Sequence, residues 1–122
     1  MAREHVTGYF KLHPEFARIV HAPVAADVLV NCTSVGLDNL SSTFKDLPLA
    51  ADFLPQYSTV VDLVYRAGGT VLLQEAAKRG IPTIDGLEIL VRQGALSFTL
   101  WTGLAAPLDL MRVAARDAES KL

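Results

Sequence analysis

The sequence predicts an α/β protein: a parallel sheet of about three strands flanked by helices, resembling half of a doubly wound domain. Three observations carry this reading. Short apolar runs, near-continuous rather than alternating, suit strands buried on both faces. Each run ends in polar residues beside Gly. Helical periodicity separates and follows the runs, the order expected of a parallel sheet with crossover connections. Composition agrees, since 122 residues at 51% hydrophobic and 20% charged suit one globular domain. A net charge of −2 argues against a strongly basic nucleic-acid binder. A single Cys rules out an internal disulfide framework and a multi-Cys metal site.

Residues 1–25 are the least patterned, and Pro14 to Val20 reads as a short helix. The first strand is Asp27-Val28-Leu29-Val30-Asn31-Cys32, closed by Gly36. As the first strand of a small sheet it leaves a long apolar edge that invites pairing. Gly36 to Gln56 is loop-rich, with Asp38, Asn39, Ser41, Ser42, Pro48 and Pro55, and has room for one helical turn near Ala50 to Phe53. The second strand is Thr59 to Tyr65, followed by Ala67-Gly68-Gly69. Thr70 caps a helix with Leu72, Leu73, Ala76 and Ala77 inward, Lys78 and Arg79 in its last turn, and Gly80 as its stop. Ile81 to Ile84 is a third, shorter strand. Asp85 and Glu88 have capping-pair spacing before a helix from Gly86 to about Trp101, with Leu87, Leu90, Val91, Ala95 and Phe98 toward a core. Gly103 ends it. Pro107 opens a last helix, Leu108 to about Ser120, with Leu110, Met111, Val113 and Ala114 inward.

The most apolar stretch, Val24 to Val35, is interrupted by Asp27 and Asn31 and is too short to span a bilayer. The N-terminus has no signal-peptide core. A soluble cytoplasmic chain with no membrane partner is expected.

Ligands of open α/β sheets bind beyond the carboxyl ends of the strands. Those ends are Asn31 to Gly36, Tyr65 to Thr70, and Asp85-Gly86. Strand-to-helix turns use such residues in any case. Gly86 at a helix N-terminus permits close approach of a ligand to backbone N–H groups, and it also fits an ordinary Asp-Gly turn. Gln93 shares a stripe with Ile89, Leu96 and Leu100. An amide there needs a hydrogen-bond partner, either a loop carbonyl or a polar ligand. Tyr65 offers either amphipathic packing or a hydroxyl toward substrate. Cys32 reads as buried in its strand and Trp101 as packing. His5, His13 and His21 are spaced eight apart with no carboxylate or Cys pattern that makes a metal motif. There is no G-x-G-x-x-G, no P-loop and no G-x-S-x-G. The residues alone describe half of a ligand-binding domain without a catalytic group of its own.

Four segments resemble the shikimate dehydrogenase family. Asp27 to Gly36 is similar to its "DLLVNATSVG" segment, and Val61 to Tyr65 with Thr70 to "DLVYxPxxT". Asp85 to Ala95 is similar to "DGLxMLVxQGA", and Phe98 to Gly103 to "FxLWTG". The resemblance covers residues 26 to 114, in order and at matching spacing. It implies the second half of a Rossmann-type NADP-binding domain (strands four to six) plus the C-terminal helices, over residues 26–122. It also implies the C-terminal portion of an enzyme of chorismate biosynthesis that reduces 3-dehydroshikimate to shikimate with NADPH.

By resemblance, Thr33, Ser34, Leu63, Gly86 and Ile89 match cofactor-binding positions, and Tyr65 and Gln93 match positions that hydrogen-bond shikimate. Ala67 replaces a common Pro, and Ile89 a usual Met. The family's catalytic Lys and Asp, its serine pair for the substrate carboxylate, its Gly-rich phosphate loop and its basic NADP-selecting patch lie in segments absent from these 122 residues. The expectation is a fragment that does not turn over alone. The alternatives are a non-catalytic binding or assembly module, dimerising or joining an N-terminal domain to cover its sheet edge, and part of a quinate/shikimate dehydrogenase.

Overall fold

In the computed structural model, residues 25–38 and 40–121 are described. The expected Pro14–Val20 helix and the three His residues lie outside them. Strands β1 (Ala26–Asn31), β2 (Tyr57–Asp62) and β3 (Thr83–Ile84) form a parallel sheet in the order β1-β2-β3. Val28 pairs with Thr59, Asn31 with Asp62, and Val61 with Ile84. Parallel neighbours need connections that cross a face of the sheet. Residues 32–56 make the first, through 3-10 turns at Leu40–Ser42 and Ala51–Gln56 and the short helix α1 (Thr43–Asp46). Helix α2 (Val71–Lys78) makes the second.

These two connections and one sheet face form the core. Leu54, Val60, Leu72 and Ala76 are fully enclosed, with Leu47, Leu49, Tyr57 and Leu73 around them. Leu29 and Phe53 pack against this cluster, and Phe53 meets Tyr57 edge-on at 6.0 Å. Burying each such side chain contributes about 1.5–3 kcal/mol. The loop-rich segment thus takes the covering role of a crossover helix, which its turn residues do not advertise.

Strand β2 stops before the end of its apolar run, and β3 starts after the beginning of its own. The N–H of Leu63 still bonds the carbonyl of Asn31, and Asp62 then turns its carboxylate onto the N–H of Val64 at 3.0 Å, drawing the chain out of the ladder before Val64 and Tyr65. Ahead of β3, Pro82 has no N–H to donate, and the N–H of Ile81 goes to the carbonyl of Ala76 in α2. Thr70 caps α2 as expected, its hydroxyl accepting from the N–H of Leu73. Ala77 is exposed rather than inward, because Leu72, Leu73 and Ala76 alone span the buried stripe.

Helix α3 (Gly86–Thr102) is capped by Asp85 and closed by Gly103 at φ +70°. Helix α4 (Leu108–Glu119) follows Pro107. On α3, Leu87 and Val91 are buried, Ala95 and Phe98 are half-buried, and Leu90 is exposed against expectation. The inner face of α4 differs more. Leu110 and Val113 are 68% and 57% exposed, and Ala114 is exposed too. Only Met111 of the expected four is half-buried, alongside Leu108, Arg112, Ala115 and Arg116.

Ion pairs choose that face. Arg112 bonds both carboxylate oxygens of Glu88, Nε to Oε2 at 2.8 Å and Nη2 to Oε1 at 2.9 Å. Arg116 reaches Asp85 at 2.7 Å. Bidentate pairing is directional as well as strong, so it fixes how α4 lies on α3. Only half of the expected capping pair forms. Asp85 accepts from the N–H of Glu88 at 2.8 Å, while the Glu88 carboxylate turns to Arg112 and Arg92. Hydrogen bonding from Arg112 holds the Glu88 carboxyl down at about 2.

Candidate functional site

A parallel sheet puts the carboxyl ends of its strands on one side. The segments after β1, after β2 and before α3 therefore gather there. Their anchor is a buried polar cluster. Asp62 is fully enclosed and accepts three hydrogen bonds: from Asn31 Nδ2 at 3.0 Å, from the N–H of Val64 at 3.0 Å, and from the Thr70 hydroxyl at 2.6 Å. Asn31 also donates to the carbonyl of Val35 and accepts, at Oδ1, from the N–H and hydroxyl of Thr33. The Thr33 hydroxyl in turn accepts from the N–H of Val35 at 3.1 Å. No buried side-chain nitrogen or oxygen among the described residues is left without a partner.

Each expected site residue takes a definite place on this frame. Thr33 spends its hydroxyl on shaping the turn, and Ser34 beside it is exposed. Leu63, the first residue past β2, is 44% exposed. Gly86 is buried directly against it. A Cβ on Gly86 would lie 2.7 Å from the Leu63 carbonyl oxygen and 3.1 Å from the Val64 carbonyl carbon. The start of α3 and the end of β2 touch backbone to backbone, which only Gly permits.

Tyr65 is past the strand rather than in it, and is half-buried. It lines a cavity of about 510 Å³ with Gly68, Gly69, Thr70, Asp85 and Arg116. Ile89 is half-buried on the first turn of α3, and Gln93 is exposed one turn further along. Gln93 lies outside the Tyr65 cavity. Its stripe continues through Leu96 and Leu100, which are among the most exposed side chains described. The structure thus brings Leu63 and Gly86 together and roots Thr33 in the Asp62 cluster, while Gln93 is exposed and does not line the Tyr65 cavity.

Two other readings change. Cys32 is exposed just past the end of β1, as Val28 and Val30 are within the strand. Trp101 is 81% exposed and packs on nothing that buries it. Asp62, Arg112 and Arg116 were not singled out by sequence. The signal for Asp62 was a carboxylate inside an apolar run, which cannot be buried without partners. For the arginines it was their four-residue spacing beside the carboxylates of Asp85 and Glu88. Among the described residues no group of three His, Cys, Asp or Glu side chains is arranged to hold a metal. No described helix is long and apolar enough to cross a membrane.

The chain is similar to known proteins over most of its length. Residues 86–116 match the family model of the shikimate 5'-dehydrogenase C-terminal domain. The chain is 45% identical over 95 residues to a shikimate dehydrogenase (NADP(+)) of Methanocella arvoryzae, and 48% identical over 93 residues to one of Thermus thermophilus. These matches take in 77% and 76% of this chain but 34% of each relative, so the chain spans about a third of their length. Among solved structures, the Thermus thermophilus shikimate 5-dehydrogenase in complex with NADP(H) and shikimate superposes with a TM-score of 0.63 at 44% identity. That match covers 76% of this chain and 34% of the other. A shikimate 5-dehydrogenase-like protein matches 96% of this chain and 44% of its own, with a TM-score of 0.70 at 27% identity.

Proposed function

We propose that this chain, which corresponds to the C-terminal part of the shikimate dehydrogenases, supplies the nicotinamide side and part of the substrate wall of an NADP-dependent shikimate dehydrogenase. The observation that carries the proposal is the backbone contact of Gly86 with Leu63 and Val64. It closes α3 onto the strand ends where the resemblance places the cofactor, and it leaves Leu63 open beside them. NADPH, when bound, supplies the hydride for the 3-dehydroshikimate carbonyl.

The residues of this chain bind and orient. Leu63 and Ile89 offer apolar surface to a flat ring, and the Thr33–Ser34 turn borders it. The Tyr65 hydroxyl and the Gln93 amide hydrogen-bond the substrate. By the resemblance, the substrate that they hold lies between α3 and a further domain. The proton donor and acceptor of the reaction come from that domain.

The first half of the cofactor-binding domain, which the resemblance places beside β1, would cover the exposed apolar surface. Val28 and Val30, on the sheet face opposite the core, are 50% and 44% exposed on an edge strand. Open edges of this kind are normally covered. A second reading, in which two copies of this chain cover each other and no chemistry occurs, rests on the same exposure.

The test is a graft. Residues 26–122 replace the corresponding C-terminal part of the Thermus thermophilus relative, and shikimate-dependent NADPH formation is measured. The purified 122-residue chain alone is expected to give none. Activity of a cooperatively melting graft supports the proposal. A graft that melts cooperatively but forms no NADPH overturns it. A stable dimer of the 122-residue chain in gel filtration, together with an inactive graft, favours the second reading.

A further inference from the structure

We infer that Asp62 is the positioning residue of this site, tying the turn after β1, the segment after β2 and the start of α2 into one unit. The geometry is directional from end to end. The Thr70 hydroxyl accepts from the N–H of Leu73, so its own proton points to Asp62 Oδ2 at 2.6 Å. The other oxygen of Asp62 takes Asn31 Nδ2 and the N–H of Val64. Asn31 then has two donors and two acceptor contacts in use, and its Oδ1 orients Thr33. Flipping the amide would set its NH2 against the N–H of Thr33, so the arrangement has one solution.

Burial alone does not call for this cluster. A Val at position 62 would satisfy the sheet without desolvating a carboxylate, which is expensive unless every lone pair is matched. What the carboxylate adds is a link from the end of β1, 31 residues away, to the segment after β2 and the start of α2. Those segments carry Thr33, Ser34, Leu63 and Tyr65, while Asp62 itself is fully buried. Asp62 therefore acts through the residues that it holds. The inference rests on the functional reading above only in taking those four as the ligand-facing residues.

The experiment compares Thr70→Val and Thr70→Ser in the full 122-residue chain by amide hydrogen exchange. Valine keeps the shape of the threonine and removes the hydroxyl, whereas serine keeps the hydroxyl. Thr70→Val is expected to speed exchange of the Thr33, Val35 and Val64 amides by about tenfold or more, against about threefold or less at Val60 in the strand centre. Thr70→Ser is expected to stay near the parent at all four. Acceleration limited to Leu73 and Gln74 would show a lost helix cap and nothing more. Uniform acceleration that includes Val60 would show general destabilisation. Either result overturns the inference.

In the active graft, Thr70→Val is expected to raise the KM for both shikimate and NADP+ by about fivefold or more, with recovery in Thr70→Ser. A lower kcat at unchanged KM would also overturn the inference. An inactive graft removes the dehydrogenase reading but leaves the exchange result to stand or fall independently.

Discussion

Gly86→Ala tests the contact on which the site reading rests. The added Cβ would fall 2.7 Å from the Leu63 carbonyl oxygen and 3.1 Å from two carbonyl carbons. Ordinary contact begins near 3.4 Å, so a separation of roughly 0.7 Å must be recovered. The obstacle is backbone, and it is held: the N–H of Leu63 bonds the carbonyl of Asn31 at 3.0 Å. Relief requires α3 to move off the sheet end, at the roughly 1–3 kcal/mol typical of overpacking, offset by less than about 1 kcal/mol of helix propensity. At about 3–5 °C per kcal/mol for a chain of this length, a net loss of about 1–2 kcal/mol lowers Tm by about 3–10 °C.

Gly94→Ala is the control on the same helix. There a Cβ meets only the flexible Met111 Cε, at 3.5 Å. The entropy gain of about 0.5–1 kcal/mol then raises Tm by a few degrees. Thermal melts by circular dichroism read both. If Gly86→Ala melts within about 2 °C of the parent, or above it, the close approach is not a constraint and the reasoning fails.

The Glu88 carboxyl, at about 2 when folded against 4.5 ordinarily, makes the α3–α4 contact acid-sensitive. Its folded pKa is depressed, so its contribution is complete above about 4.5 and is lost as pH falls toward about 2. Glu88→Gln should therefore lower Tm at pH 6 and match the parent at pH 2; a Tm gap that does not change with pH would refute this. Gln93 is exposed, so Gln93→Ala should leave the melt within about 0.5 kcal/mol of the parent while raising the shikimate KM of the graft by about 2–10-fold. Tyr65→Phe should do the same to KM, and an unchanged KM in both variants would remove them from the substrate wall.

Much of the fold was legible because local chemistry decides it. Thr70 and Asp85 cap, Gly80 and Gly103 stop, and β-branched runs pair, all from properties of a few neighbouring residues. The strand-end turns that carry the candidate site were legible for the same reason. The limits of β2 were not, because they depend on where the Asp62 carboxylate finds its donors. The face of α4 was not either. Leu110, Val113 and Ala114 sit at plausible inward spacing, yet Arg112 and Arg116 turn the other side toward α3 once Glu88 and Asp85 are within reach.

By itself, the sequence determined the α/β class, the order of elements, the caps, the three strand-end turns and the family they resemble. These depend on periodicity, turn chemistry and motif order, which survive without a third dimension. Tertiary structure alone decided that Gly86 meets the carbonyls of Leu63 and Val64, that Asp62 joins Asn31 to Thr70, and that ion pairs rather than leucines seat α4. Each of these joins residues far apart in the chain. Their energies depend on distances and directions that no local pattern encodes.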